Sequence, residues 1–169
     1  MTDASGLRVR PALPAEAAAL TALCRRSKAP WGYDVDFMTR AAETLVVTRA
    51  MIGTGRVQVA AKALGRVPGV AAIEPLPEPG RFDLALLFVD PPAIGSGAGR
   101  ALFAAAVRLA QAQGGTRLAI LADPFAEAFY RRMGAVRVRI GDAPSDAIPG
   151  RRLPLLEFTV VVGGDRQAS

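Results

Sequence analysis

The stretch FVDPPAIGSGAGRALFAAAV, residues 88–107, restricts the fold more than any other part of the chain. An apolar run ends at Asp90 and two prolines stop it. Gly95, Gly97 and Gly99 then alternate, and Arg100 opens an alanine-rich amphipathic helix. Glycine at every second position suits neither a strand nor a helix. The segment therefore reads as a strand, a tight turn and a helix N-terminus. Such a junction is built for anions: backbone N–H groups point outward, the helix dipole favours negative charge, and missing Cβ atoms allow close approach.

Two familiar phosphate-binding patterns do not fit it. A P-loop needs Lys after its last glycine, and no lysine follows any of these. A dinucleotide fingerprint, G-x-G-x-x-G, fails in both registers: from Gly95 the sixth position is Arg100, and from Gly97 it is Leu102.

The rest of the chain supplies the partners that a strand-turn-helix unit needs. LRVRPA (7–12) alternates like a strand, and residues 14–28 carry a helical apolar face with Leu20, Leu23 and Cys24. APWGYD is a turn, and residues 34–45 a second helix capped by Asp34. RVQVAAKA (56–63) and VPGVAAIEPL (67–76) form a hairpin around Gly65, and RFDLALLFVD (81–90) is a more buried strand. The helix after the glycine turn runs to about Gln113. Then follow a strand at 117–122, a helix at 123–134 closed by Gly134, a strand AVRVRIG, a polar loop 141–152 and a last strand 153–162. The order β-α-α-β-β-β-α-β-α-β-β predicts one α/β (α+β) domain over 1–169, with short flexible tails at about 1–5 and 163–169.

Composition removes whole classes of chemistry. The 169 residues contain no histidine, which excludes Ser-His, Cys-His and His-metal mechanisms together. Cys24 is the only cysteine, so no disulfide forms within the chain, and no metal site is expected. A formal charge of +6, carried almost wholly by arginine, suits an anionic ligand, although an arginine-rich coding bias accounts for it equally well. The arginines are scattered without basic blocks or interleaved aromatics, so no nucleic-acid partner is expected. No apolar run has membrane-spanning length and MTDASGLRVR has no signal pattern, so we expect a cytoplasmic protein with no membrane partner.

Two segments carry a family resemblance. LFVDPPAIGSGAGRALF resembles the acetyl-CoA-binding segment of the GNAT (GCN5-related N-acetyltransferase) superfamily, Q/R-x-x-G-x-G/A after a strand ending in V-x-P. Ile94 stands at the Gln/Arg position, with Gly97 and Gly99 at the two glycines. Later, ADPFAEAFYRRMGA resembles N-P-x-A-x-x-F-Y-x-x-x-G-F, with Asp123 for Asn, Tyr130 at the tyrosine and Ala135 for Phe. RSKAPWGYD and AIPGRRLPLLE are similar to segments of an uncharacterised bacterial subgroup of that family.

The resemblance implies a GNAT-like mixed, mostly antiparallel central sheet flanked by helices and splayed at the acetyl-CoA-binding strand. It implies acetyl-CoA as co-substrate and direct transfer of acetyl to an amine, of a small molecule or of a peptide or protein. Main-chain groups of Leu87, Phe88 and Val89 would pair with the pantetheine arm, the amide near Val89 serving as oxyanion donor. The amides from Ile94 through Gly95, Ser96, Gly97, Ala98 and Gly99 to Arg100 would hold pyrophosphate, and Asp123 belongs to the same cofactor set. Tyr130 would protonate the departing thiolate. For a base, Glu74 and Asp83 are the carboxylates on strands near the expected cleft. Trp31, Tyr33 and Met38, with the loop 141–152, would form the acceptor pocket. Arg151 and Arg152 suit either an acidic acceptor or a second subunit, which leaves a homodimer open. A non-catalytic acetyl-CoA-binding sensor or regulatory module is the alternative function.

Overall fold

A computed structural model describes residues 6–138, 143–144 and 152–161. The polypeptide enters as strand β1 (Arg8–Pro11) and forms three helices, α1 (Ala17–Lys28), α2 (Val35–Ala42) and α3 (Arg49–Gly53). The α2 cap is the one expected, the Asp34 carboxylate accepting the Phe37 amide at 2.7 Å. Helix α3 has almost no sequence signature. Five residues are too few for periodicity, and its only signal is Thr48, whose hydroxyl accepts the Met51 amide at 3.1 Å.

Strands β2 (Val57–Ala61), β3 (Gly69–Pro75) and β4 (Arg81–Val89) follow as a meander, then helix α4 (Ala98–Ala112) and strand β5 (Arg117–Leu121). Helix α5 covers only Glu127–Arg132, shorter than expected. The reason is local: Asp123 accepts the Phe125 amide at 3.1 Å on its carboxylate and the Ala126 amide at 2.8 Å on its carbonyl, which folds the preceding residues into a turn. The chain continues as β6 (Val136–Arg137), β7 (Ala143–Pro144), β8 (Arg152–Leu153) and β9 (Leu155–Thr159). Pro154, lacking an N–H, divides what the sequence suggests is one continuous last strand. The two expected tails and most of the loop 141–152, Arg151 included, lie outside the described residues.

The main sheet has the order β1-β2-β3-β4-β5-β9-β6, and every neighbouring pair is antiparallel except β4 and β5. That parallel pair meets only at Arg81, Phe82 and Asp83, opposite Arg117, Leu118 and Ala119. Beyond them no strand among the described residues pairs with that edge of β4, and the sheet splays.

A bulge sits just where the splay begins. Ala72 of β3 faces Leu86 and Ile73 faces Leu84, so Ala85 is one residue too many on β4. The strand's two faces change hands across it. Phe82 and Leu84 pack with Phe103, Leu118 and Ile120, toward α4 and β5. Leu86 packs with Leu20, Leu23, Val59 and Val70, toward α1, and Ala85 and Phe88 lie against the same cluster. Leu20 and Leu23 are almost wholly enclosed, each contributing roughly 2 kcal/mol by removal of apolar surface from water. Leu87 and Val89 turn back toward Ala98 and Leu102 of α4. No described helix is long and apolar enough to cross a membrane.

Candidate functional site

The splay opens a cleft of about 610 Å³ between the free edge of β4, the glycine turn and the start of α5. Its floor includes Leu87, Phe88 and Val89, whose outer main-chain groups meet no neighbouring strand among the described residues.

The alternation of glycines is a matter of facing. Gly95, Gly97 and Gly99 line the cleft, whereas Ala98 is buried beneath and Ser96 turns its hydroxyl to the Ala98 amide at 3.4 Å. Gly97 caps α4 with φ of 90° and Gly95 has φ of 84°, left-handed conformations that glycine takes without steric cost. Gly99 lies close to α5: a Cβ there would just touch the Phe129 ring at 3.4 Å, an ordinary van der Waals distance. Not every amide of the turn is available. The Ile94 amide donates to Pro91 at 3.2 Å and the Ser96 amide to Ala93 at 3.0 Å. The amides of Gly95 and Gly97 have no such partner among the described residues. Those of Gly99 and Arg100 belong to the first helical turn, which has no intrahelical acceptor. Arg100 lines the cleft beside them. The turn is anchored from behind, where Arg26 of α1 forks onto the Asp90 carboxylate through two bonds of 3.2 Å.

Tyr130 lines the opposite wall from α5, with only 7% of its surface exposed. Its ring packs against Phe103 and Phe129. Among the described residues its hydroxyl has no hydrogen-bond partner. Burial first, and the Asp123 carboxylate second, push its phenol well above the ordinary value, so the hydroxyl keeps its proton at neutral pH.

Asp123 also lines the cleft, and both oxygens of its carboxylate have partners. One oxygen takes the Phe125 amide, and the other takes the Tyr33 hydroxyl at 2.7 Å with the Lys28 ammonium at 3.9 Å. Lys28 lies within 6 Å of both the Tyr33 and Phe37 rings, which are stacked on each other at 3.9 Å. Beyond them Trp31 stacks on Phe125 with ring centroids 4.9 Å apart. Trp31 lines the cleft, while Tyr33 and Met38 do not; Tyr33 acts one step back, through Asp123. Glu74 and Asp83 face each other on the paired part of β3 and β4, and neither lines the cleft. Glu74 borders a separate hollow of about 240 Å³ with Met51 and Arg56.

Several cleft residues gave no sign of themselves in the sequence. Ser27 is the clearest: it is buried to 8% exposure, it lines the cleft, and no described residue bonds its hydroxyl. A serine in the last turn of an amphipathic helix looks like any solvated residue. Phe125 and Arg132 also line the cleft, at unspecified positions of the tyrosine segment, whereas Phe129, which lines it too, stands at that segment's Phe.

Comparison with known proteins agrees with this architecture. The model of the acetyltransferase (GNAT) family matches residues 25–135. No curated protein matches the chain in sequence. Among solved structures, it superimposes on a GNAT-family protein from Desulfovibrio desulfuricans with a TM-score of 0.71 at 21% identity, covering 92% of this chain and 99% of that one. PaiA N-acetyltransferase from Thermoplasma acidophilum, in complex with coenzyme A, gives a TM-score of 0.73 at 12% identity, with coverage of 90% and 98%. N-acetylglutamate synthase from Neisseria gonorrhoeae, complexed with coenzyme A and N-acetyl-glutamate, gives 0.67 at 20% identity; 92% of this chain matches 35% of that longer one.

Proposed function

The chain belongs to the acetyltransferase (GNAT) family, and from that premise we propose that it transfers acetyl from acetyl-CoA directly to an amine. One observation carries the reading: a strand edge, turn amides and a phenol that have no partner among the described residues border a single cleft. Coenzyme A complexes of structural relatives such as PaiA support the choice of donor.

When bound, acetyl-CoA supplies an acetyl group on a thiol leaving group. The amides of Gly95, Gly97, Gly99 and Arg100 suit its pyrophosphate, with the Arg100 guanidinium beside them. Ile94 and Ser96 take part through shape alone, because their amides are spent inside the turn. The edge from Leu87 to Val89 suits the pantetheine amides as an added strand, and the amide near Val89 would donate to the thioester carbonyl as charge develops on it.

Tyr130 donates to the departing sulfur. A phenol held above its usual pKa is a weaker acid than the thiol it faces, so its contribution is a hydrogen bond that strengthens as negative charge reaches sulfur. The amine forms a C–N bond as the C–S bond breaks, and the proton it sheds balances the thiol that leaves. With Glu74 and Asp83 away from the cleft, that proton passes to water. Screening amine acceptors for release of CoA thiol tests the reading. CoA binding with no turnover on any amine would favour the sensor alternative.

A further inference from the structure

The end of the cleft beside α1 has a composition that selects an acceptor. Trp31 and Phe125 form its stacked aromatic wall, and both rings remain partly open, at 37% and 55% exposure. Leu121, another cleft residue, is also open at 37%. An open aromatic pair bordering a cleft keeps apolar surface in water that a flat apolar ligand would cover.

Charge narrows the choice. Asp123 is the only carboxylate among the described residues lining the cleft, and both of its oxygens already have partners in Phe125, Tyr33 and Lys28. A second ammonium on the acceptor would have to compete with Lys28 for that one carboxylate. The cations Lys28, Arg100 and Arg132 line the same cleft.

Ser27 completes the subsite. The residue is more than nine-tenths buried, borders the cleft next to Lys28 and Trp31, and carries a hydroxyl with no partner among the described residues. A hydroxyl can accept from an amine N–H while bearing no charge of its own, so it can orient a neutral amine. The hydroxyl opens to the cleft, so a ligand N–H can reach it, and the bond adds a modest increment to affinity.

We propose, resting on the acetyl-CoA reading above, that the acceptor is an aryl or arylalkyl monoamine: its ring lies on Trp31 and Phe125, and its nitrogen is held by the Ser27 hydroxyl. Ser27 is thereby an acceptor-positioning residue.

The test combines calorimetry with CoA and a thiol-release assay on phenethylamine, tryptamine, n-butylamine, spermidine and glutamate. The expected kcat/KM for the arylalkyl amines exceeds that for the others roughly tenfold or more, about one aromatic contact's worth. Ser27→Ala lowers kcat/KM for phenethylamine about tenfold with CoA affinity unchanged, and Ser27→Thr, which keeps the hydroxyl, restores most of it. Trp31→Ala and Phe125→Ala, checked for folding by circular dichroism, each cut the aryl-over-butyl preference to below about threefold. Preference for spermidine or glutamate, an aryl preference that survives both aromatic variants, or CoA binding without turnover of any arylalkyl amine overturns the inference and leaves the donor site standing. Absence of CoA binding in the wild type overturns the acetyl-CoA reading itself, and the inference with it.

Discussion

The Tyr33 hydroxyl donates to the Asp123 carboxylate at 2.7 Å, although 90 residues of chain separate them. This bond fastens the segment after α1 to the turn before α5, on either side of the cleft. Tyr33→Phe keeps the stack on Phe37 and removes the bond, at a cost of roughly 1.5 kcal/mol for a hydrogen bond to a charged group. Asp123→Ala should cost more, since the Phe125 amide and Lys28 lose their partner too. In urea unfolding the double variant should be less damaged than the sum of the two. Additive effects would mean that the bond contributes nothing in solution.

Gly97 supports both the turn and the ligand. An alanine there must hold φ of 90°, which costs about 1 kcal/mol and displaces the amides on either side. Calorimetry of Gly97→Ala should find CoA affinity reduced roughly tenfold or more, with a small drop in Tm. Ile94→Arg should change affinity by no more than a few-fold, the scale of one exposed ionic contact, because Ile94 is 60% exposed and its amide is occupied. A hundredfold gain would give that side chain a role that the turn's geometry does not.

Tyr130→Phe removes a hydroxyl and leaves the packing against Phe103 and Phe129. If the phenol meets the sulfur only as the C–S bond breaks, kcat falls roughly 10²-fold while KM for acetyl-CoA hardly moves. The loss should shrink with a donor whose leaving thiol has a lower pKa. Wild-type kcat in this variant would reduce Tyr130 to a packing residue.

Cys24 is fully enclosed, and burial pushes its thiol up to about 12. In the native protein at pH 8 it should resist iodoacetamide and react only on unfolding. The folded pKa is raised, so its contribution to stability is fully present below the unfolded thiol's value, 9.0, and is lost as pH rises toward 12. Urea titrations between pH 8 and pH 11 should show stability falling, and Cys24→Ala should flatten part of that fall. Rapid native alkylation at pH 8 would mean that α1 opens far more readily than its packing implies.

Much of this was legible in the chain because it depends on local chemistry. Alternating glycines can only be a turn, Asp34 caps the helix it precedes, and the meander of β2, β3 and β4 follows from alternation and Gly65. What escaped depends on contacts distant in sequence. Glu74 and Asp83 look like cleft carboxylates until the register pairs them with each other, beyond the point where the sheet opens. Asp123 shortens α5 by taking a backbone amide, and Tyr33 reaches the site only through that same aspartate. Ser27 becomes informative only once the fold places it on the wall of the cleft.

The supernumerary Ala85 has a bearing on heredity. Leu86 and Phe88 belong to one side of the sheet and Leu87 and Val89 to the other only because one extra residue precedes them. A codon lost between the bulge and Val89 would turn the end of the strand over, presenting each side chain to the wrong neighbours, whereas many single substitutions there would leave the facing intact. Along this strand, descent must conserve the count of residues more strictly than their identity.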